Sequence, residues 1–291
     1  MVGDHRFPLP RPPSQLVRPG SVAPGTTAPR QWPFAVASPL VPAASEILLL
    51  ALAGLVAGAV NAIAGGGSLI VFPALLAAGL SPLSANVTNS IAQWPSYLGA
   101  SVGQRSDLRG LGPRLRLVLP TAAVGGLGGA LLLLTLPSAV FDTVVPLLVL
   151  GASALMALSP HIKRWTGEQR PGDADRTPYL LAAVFFAAVY SGYFGGALGV
   201  ILVALLSVTA NDTLRRSNAT KAVLSLVVAS VAIVVFAIGA PPQWAYVLAV
   251  APATLIGGFF GAKVAQRLNE AVLCWLVVVL GVAVGSYLLL R

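Results

Sequence analysis

Apolar stretches of 17 to 20 residues recur from Glu46 to Leu290, and no other feature limits the possible folds of this chain so tightly. At about 1.5 Å of rise per residue, each such stretch is long enough as a helix to cross the ~30 Å hydrocarbon layer of a bilayer. A soluble core does not explain so many of them in one chain. Charged residues make up only 9% of the 291, against about 25% in soluble domains. The expected fold class is therefore an all-α membrane protein, a polytopic helical bundle.

The formal charge of +9 would suggest nucleic acid in a soluble protein. Here the basic residues fall mostly in short connections between apolar segments, where they act as topology signals. Cys274 is the single cysteine and lies within the last apolar segment, so no intrachain disulfide is available. His5 and His161 have no Cys or carboxylate cluster at metal-ligand spacing, and no metal or other cofactor is expected.

Residues 1–44 contain ten prolines and no apolar run, which predicts a disordered tail without the continuous apolar region of a signal peptide. The apolar segments then follow as 46–64, a short piece 68–80, 86–103, 117–135 and 139–158. A polar linker at 159–178 carries Lys163, Arg164, Glu168, Arg170, Asp173, Asp175 and Arg176. The second set runs 179–194, a short piece 197–210, 218–238, 244–262 and 271–290. The order of long and short pieces repeats, giving eight full spans plus two short half-helices in two transmembrane repeats, 45–158 and 179–291.

Sliding the chain on itself supports a duplication. An offset of 132 sets Pro120 on Pro252, Gly125 and Gly126 on Gly257 and Gly258, Gly129 on Gly261, Asn86 on Asn218, Thr88 on Thr220, and Asn89 on Lys221. An offset of 130 sets Gly65 and Gly66 on Gly195 and Gly196. If the short pieces cross the bilayer, the halves are inverted and the basic loops share one side: Arg105 to Arg116, Lys163 to Arg176, Arg215 and Arg216, and Lys263 and Arg267. The positive-inside rule favours that arrangement, with the basic tail as a counter-signal.

Each half carries a glycine-rich interruption, NAIAGGGSL from Asn61 and SGYFGGALG from Ser191. A helix broken inside hydrocarbon exposes backbone N–H and C=O groups, which is tolerated only where protein or a water-filled cavity supplies partners. Close packing of small residues would explain one glycine cluster; a matched pair points to a shared cavity. Gly65, Gly66, Gly67, Gly195 and Gly196 would permit close backbone approach, with N–H groups near Ser68 and Ala197 as anion donors. Tyr190 and Tyr193 flank the second break.

The second matched feature is ANVTNSIAQ from Ala85 and SNATKAVLS from Ser217. Lys221 is the only basic residue that the segmentation puts inside a span, and an embedded charge is expensive unless it has a partner or a function. With Asn89, Thr88, Thr220, Asn86 and Asn218 it could complement an oxyanion; equally, it lies about one turn inside its segment and could snorkel to the interface. Asp142 suits a first helical turn without a functional role. Trp94, Trp165, Trp244 and Trp275 suit interfacial anchoring or packing.

Taken together, Ala62 to Ser90, Tyr190 to Gly199 and Arg215 to Ser225 resemble the Gly-rich and Thr-Asn/Thr-Lys elements of the sulfite exporter TauE/SafE family, over about residues 46–290. The chain departs from the usual pattern at Asn61, Ser90 and Ala197. The resemblance implies a cell-membrane permease for sulfite, an organosulfonate or a related oxyanion, working by alternating access without a cofactor and without enzymatic activity. The glycine breaks and the matched polar segments give the expected substrate contacts as Asn61, Gly65, Gly66, Gly67, Ser68, Thr88, Asn89, Tyr190, Gly195, Gly196, Ala197, Asn218, Thr220 and Lys221. The expected partners are the small anion and the lipid bilayer, with homo-oligomerisation open and no nucleic acid. A passive channel and a non-transporting scaffold are the competing readings.

Overall fold

A computed structural model describes residues 43–290 except 64, 166–176, 196, 197, 210–213, 241 and 265–269. The expected disordered tail and most of the expected linker lie outside the described residues. The described chain folds into α1 (Ala44–Ile63), α2 (Ser68–Ala77), α3 (Pro82–Gly103), α4 (Gly112–Thr135), α5 (Ser138–Trp165), α6 (Thr177–Tyr193), α7 (Leu198–Thr209), α8 (Leu214–Gly239), α9 (Trp244–Val264) and α10 (Glu270–Leu290). Every apolar segment read from the sequence is a helix. The largest differences lie at polar ends: α4 begins five residues early, at Gly112, and α5 runs on to Trp165.

Local chemistry sets several boundaries. Ser81 caps α3 by accepting from Ser84 N, and Pro82 occupies the first turn, where its missing N–H costs nothing. Gly79, at φ +90°, ends α2 in the left-handed region that a side chain resists. Glu46 lies in the first turn of α1, favoured by the helix dipole.

Among the described residues, four helices are long and apolar enough to cross a membrane: 44–63, 112–135, 215–239 and 244–261. Their outer faces carry Leu48, Leu49, Val124, Val234, Ile238, Leu248 and Phe260, all exposed. An apolar surface of that extent is unfavourable in water and matches a hydrocarbon solvent. α3 does not reach the same apolarity, because its inner faces carry the polar residues of the site.

Close contacts fix the helix directions. Gly54 and Gly58 of α1 lie on Val250 and Thr254 of α9, and Thr254 Oγ1 donates to Ala92 O of α3 at 2.7 Å. These three helices run parallel. Gly125 and Gly129 of α4 lie on Phe185 and Val189 of α6, while Gly126 and Leu134 of α4 lie on Val228 and Gly239 of α8. This second trio is also parallel, and it opposes the first: α3 meets α8 through Trp94 Nε1 donating to Ser230 Oγ (2.8 Å), and Arg216 Nη2 in the first turn of α8 donates to Arg109 O in the turn that follows α3 (3.0 Å). As α3 ascends, its partners on α8 descend.

α2 returns alongside α1. Gly67 packs on Ala57 and Asn61, whereas Ala78 O, past the far end of α2, accepts from Tyr246 OH, four residues before the Val250 that touches Gly54. The chain therefore enters α3 from the end at which α1 began.

The packing repeats under the offsets seen in the sequence. Gly257 fits against Leu55 O and Ala59 N, and Gly125 against Phe185 O and Val189 N. Gly258 fits against Ser96 and Gly126 against Val228. The first helix of each half thus packs along the fourth helix of the other, α1 with α9 and α6 with α4, and the halves interlock.

Candidate functional site

Both glycine-rich breaks turn inward and meet. Gly65 adopts φ +86°, a left-handed conformation that costs an L-residue about 1–2 kcal/mol. Gly199, in the first turn of α7, fits directly against the Gly65 backbone, and Ser68 Oγ donates to Gly195 O at 2.7 Å. A side chain at Gly67 would strike Ala57 O, and one at Gly199 would strike Gly65. Small residues therefore serve close packing and the break together.

Partners for the broken backbone come from the opposite half. Asn86 Nδ2 on α3 donates to Tyr193 O, at the end of α6, at 3.1 Å. Its pseudo-equivalent Asn218 Nδ2 on α8 donates to Ile63 O, at the end of α1, at 3.4 Å. Helix ends leave carbonyls without intrahelical partners, and hydrocarbon offers them none. Each half satisfies the other's break.

Lys221 is the one buried basic side chain among the described residues, 2% exposed. Its Nζ donates to Asn61 O at 3.3 Å, in the last turn of α1, where the helix dipole presents partial negative charge. Here the ammonium is held inside the protein. Asn61 is itself a hub: Nδ2 donates to Gln93 Oε1 at 3.2 Å and Oδ1 accepts from Gly67 N at 3.3 Å, with the Tyr97 phenol beside both Asn61 and Ser68.

At the second break Gly195 N donates to Asn86 Oδ1 at 3.2 Å, and Gly195 lies against Ser90 Oγ and the Asn89 amino group. Ser90 Oγ donates back to Asn86 O at 2.8 Å. Asn61, Gly65, Gly67, Ser68, Asn89, Gly195, Asn218 and Lys221 are thus joined around the two breaks. Gly66 is buried in the first break and accepts from Leu69 N at 3.0 Å. Gly196 and Ala197 lie outside the described residues.

Two expected residues point elsewhere. Thr88 Oγ1 accepts from Gln243 N at 3.2 Å, anchoring the α8–α9 connection at the opposite end of α8 from Lys221. Tyr190 directs its hydroxyl to Leu148 O on α5, at 3.5 Å, and its ring meets Phe194 edge-on. Thr220 is buried near Lys221, and its hydroxyl takes no hydrogen bond. Trp94 packs between α3 and α8, while Trp244 and Trp275 project outward.

Gln93, Tyr97 and Ser225 escaped the sequence reading. The available signal was spacing: Asn89, Gln93 and Tyr97 recur every four residues and share one face of α3, and Lys221 and Ser225 repeat the interval on α8. Asn89 Oδ1, Gln93 Nε2 and Ser225 Oγ are buried and take no hydrogen bond. The ensemble offers a cation, amides and hydroxyls, a donor set that can bind an oxyanion.

The model of the sulfite exporter TauE/SafE family matches residues 50–288. The chain belongs to the TauE/SafE family. It is 28% identical over 215 residues to the probable membrane transporter protein YfcA of Escherichia coli K12, covering 74% of this chain and 77% of that protein. A probable membrane transporter protein of Haemophilus influenzae is 26% identical over 243 residues, 80% of this chain and 91% of the relative. A third, from Sinorhizobium, is 31% identical over 162 residues, 53% of this chain and 58% of its own. No solved structure matches the chain. TauE/SafE membership and the apolar helices make this a multi-pass membrane transporter.

Proposed function

We propose that this TauE/SafE protein is a cell-membrane permease for a small oxyanion, such as sulfite or an organosulfonate, working by alternating access and without catalysis or cofactor. The observation that carries the reading is the buried Lys221 ammonium beside two helix breaks that meet. Burying a charge costs several kcal/mol unless it is compensated, and an embedded ionisable group is by default functional. Lys221 attracts the anion; Asn89, Ser68 and the backbone of the breaks complete its shell.

The two halves, α1 to α5 and α6 to α10, are inverted repeats of four full spans and one half-helix each, preceded by the tail 1–44 and joined between Trp165 and Thr177. The opposed trios α1/α3/α9 and α4/α6/α8 support inversion. So does the gathering of Arg105, Arg109, Arg114, Arg116, Arg215 and Arg216 at one end, which the positive-inside rule makes cytoplasmic. Interlocked halves rock about the shared site. Contact between Gly199 and Gly65 closes the space between those residues and supports a carrier, which must rearrange, over an open channel.

Labelled sulfite or organosulfonate flux into proteoliposomes tests this. Lys221→Ala should abolish it while leaving the protein folded and monodisperse; flux equal to wild type would remove the proposed site.

A further inference from the structure

Three side-chain atoms on one face of α3 are buried without a hydrogen bond, Asn89 Oδ1, Gln93 Nε2 and Ser96 Oγ; the hydroxyl packs on Gly258, and the two amide atoms, one turn apart, are of opposite kind. Gln93 is fully buried; its Oε1 accepts from Asn61 Nδ2, which fixes the amide, and its Nε2 takes no partner. Asn89 is 1% exposed; its amino end lies beside Gly195 and its Oδ1 takes no partner. Orphaned amide atoms in a protein interior are destabilising, and their persistence calls for a reason. Residues four apart on a helix bring their Cβ atoms to about 5–6 Å, close enough for one small molecule to touch both side chains.

An orphan donor beside an orphan acceptor is a poor fit for a fully ionised oxyanion, which has only acceptors. Its oxygens would suit Gln93 Nε2 and meet Asn89 Oδ1 oxygen to oxygen. An anion that keeps one hydroxyl hydrogen suits both. Lys221, the one buried basic side chain among the described residues, adds a single positive charge beside Asn61, the partner of Gln93. We propose that the site selects a singly charged oxyanion bearing one hydroxyl, such as hydrogen sulfite, with Gln93 Nε2 donating to an ionised oxygen and Asn89 Oδ1 accepting from the hydroxyl. This rests on the permease reading above and adds to it the protonation state of the substrate. Sites built to bond a substrate hydroxyl reject analogues lacking it, here by at least about tenfold.

Calorimetric titration of the purified full chain tests the selection. Sulfite and methanesulfonate are compared at pH values on either side of the second ionisation of sulfurous acid. Methanesulfonate is a permanent monoanion without a hydroxyl, so it reports any titration of the protein itself. Apparent sulfite affinity should fall about tenfold per pH unit above that ionisation, following the hydrogen sulfite fraction, while methanesulfonate affinity stays level and weaker. Asn89→Leu should bring the two affinities within about twofold, and Gln93→Leu should weaken both anions.

Sulfite affinity that ignores pH, or methanesulfonate bound as tightly as hydrogen sulfite, overturns the proposal while leaving an anion site in place. Equal loss of both anions in Asn89→Leu overturns the role of Asn89. Failure of every anion to bind the wild-type protein overturns this inference and the permease reading together.

Discussion

The two helix breaks solve one backbone problem with different chemistry. At the first, Asn61 ties Gly67 N to Gln93, Asn218 takes Ile63 O, and Lys221 places a cation on the end of α1. At the second, Ser191 stands where the first has Asn61, and Asn86 serves both Tyr193 O and Gly195 N. Ser68 and the Ser90–Asn89 pair complete it with neutral groups. Each broken helix keeps the same kind of hydrogen bond, from an asparagine amide to its last carbonyl. Charge was placed on one side, so a two-fold scaffold carries an electrostatically one-sided site.

Exchanging the unequal pair should produce the largest effect. Lys221→Asn, which makes the first break resemble the second, should reduce anion flux in proteoliposomes by two orders of magnitude or more, since a buried charge-assisted contact is lost. Adding Asn89→Lys to that variant should restore part of the flux if the breaks are interchangeable. No recovery would mean that position, and not charge alone, is what differs.

The glycines should separate next. Gly65→Ala forces an L-residue to φ +86° and should cost about 1–2 kcal/mol in detergent unfolding assays. Gly199→Ala should cost at least as much, because its methyl meets the Gly65 backbone. Gly195→Ala meets the Ser90 hydroxyl instead, a side chain that can be trimmed, so Ser90→Ala should recover most of that loss. Failure of the rescue would break the contrast between a backbone obstacle and a side-chain obstacle.

Smaller differences should appear at the two asparagines. Asn86→Ala frees two backbone groups and Asn218→Ala one, so the former should destabilise by about 2–3 kcal/mol and the latter by about 1 kcal/mol. Equal losses would show that the second break has a substitute partner. Smallest of all is the Asp107–Arg215 pair at 3.8 Å, which joins the α3–α4 turn to the start of α8 with its arginine side chain 71% exposed. Asp107→Ala should change the unfolding midpoint by the equivalent of less than about 1 kcal/mol, since water and salt screen it.

Much of the fold was legible because transfer to hydrocarbon adds up along a segment: each apolar run is a helix among the described residues. The broken helices were legible through Gly65 to Gly67 and Gly195, since few other residues tolerate such backbone in a membrane. The site was legible in part. Asn61, Ser68, Asn89, Asn218 and Lys221 assemble around the breaks, whereas Thr88 and Tyr190, equally plausible by position, turn to Gln243 and Leu148. Gln93 looked like one amide among many until its oxygen was found on Asn61 and its nitrogen on nothing.

The sequence by itself determined the solvent of this protein, the order of its described helices, and the two places where helices break. Those properties are local, set by hydropathy and by glycine's freedom at φ values that other residues avoid. Tertiary structure alone decided that Asn218 and Lys221 serve the break of the first half while Asn86 and Asn89 serve that of the second. A hydrogen bond spanning 160 residues, as from Lys221 to Asn61, leaves no trace in local pattern. It exists because helices packed through glycine faces bring one half's polar turn to the other half's open backbone.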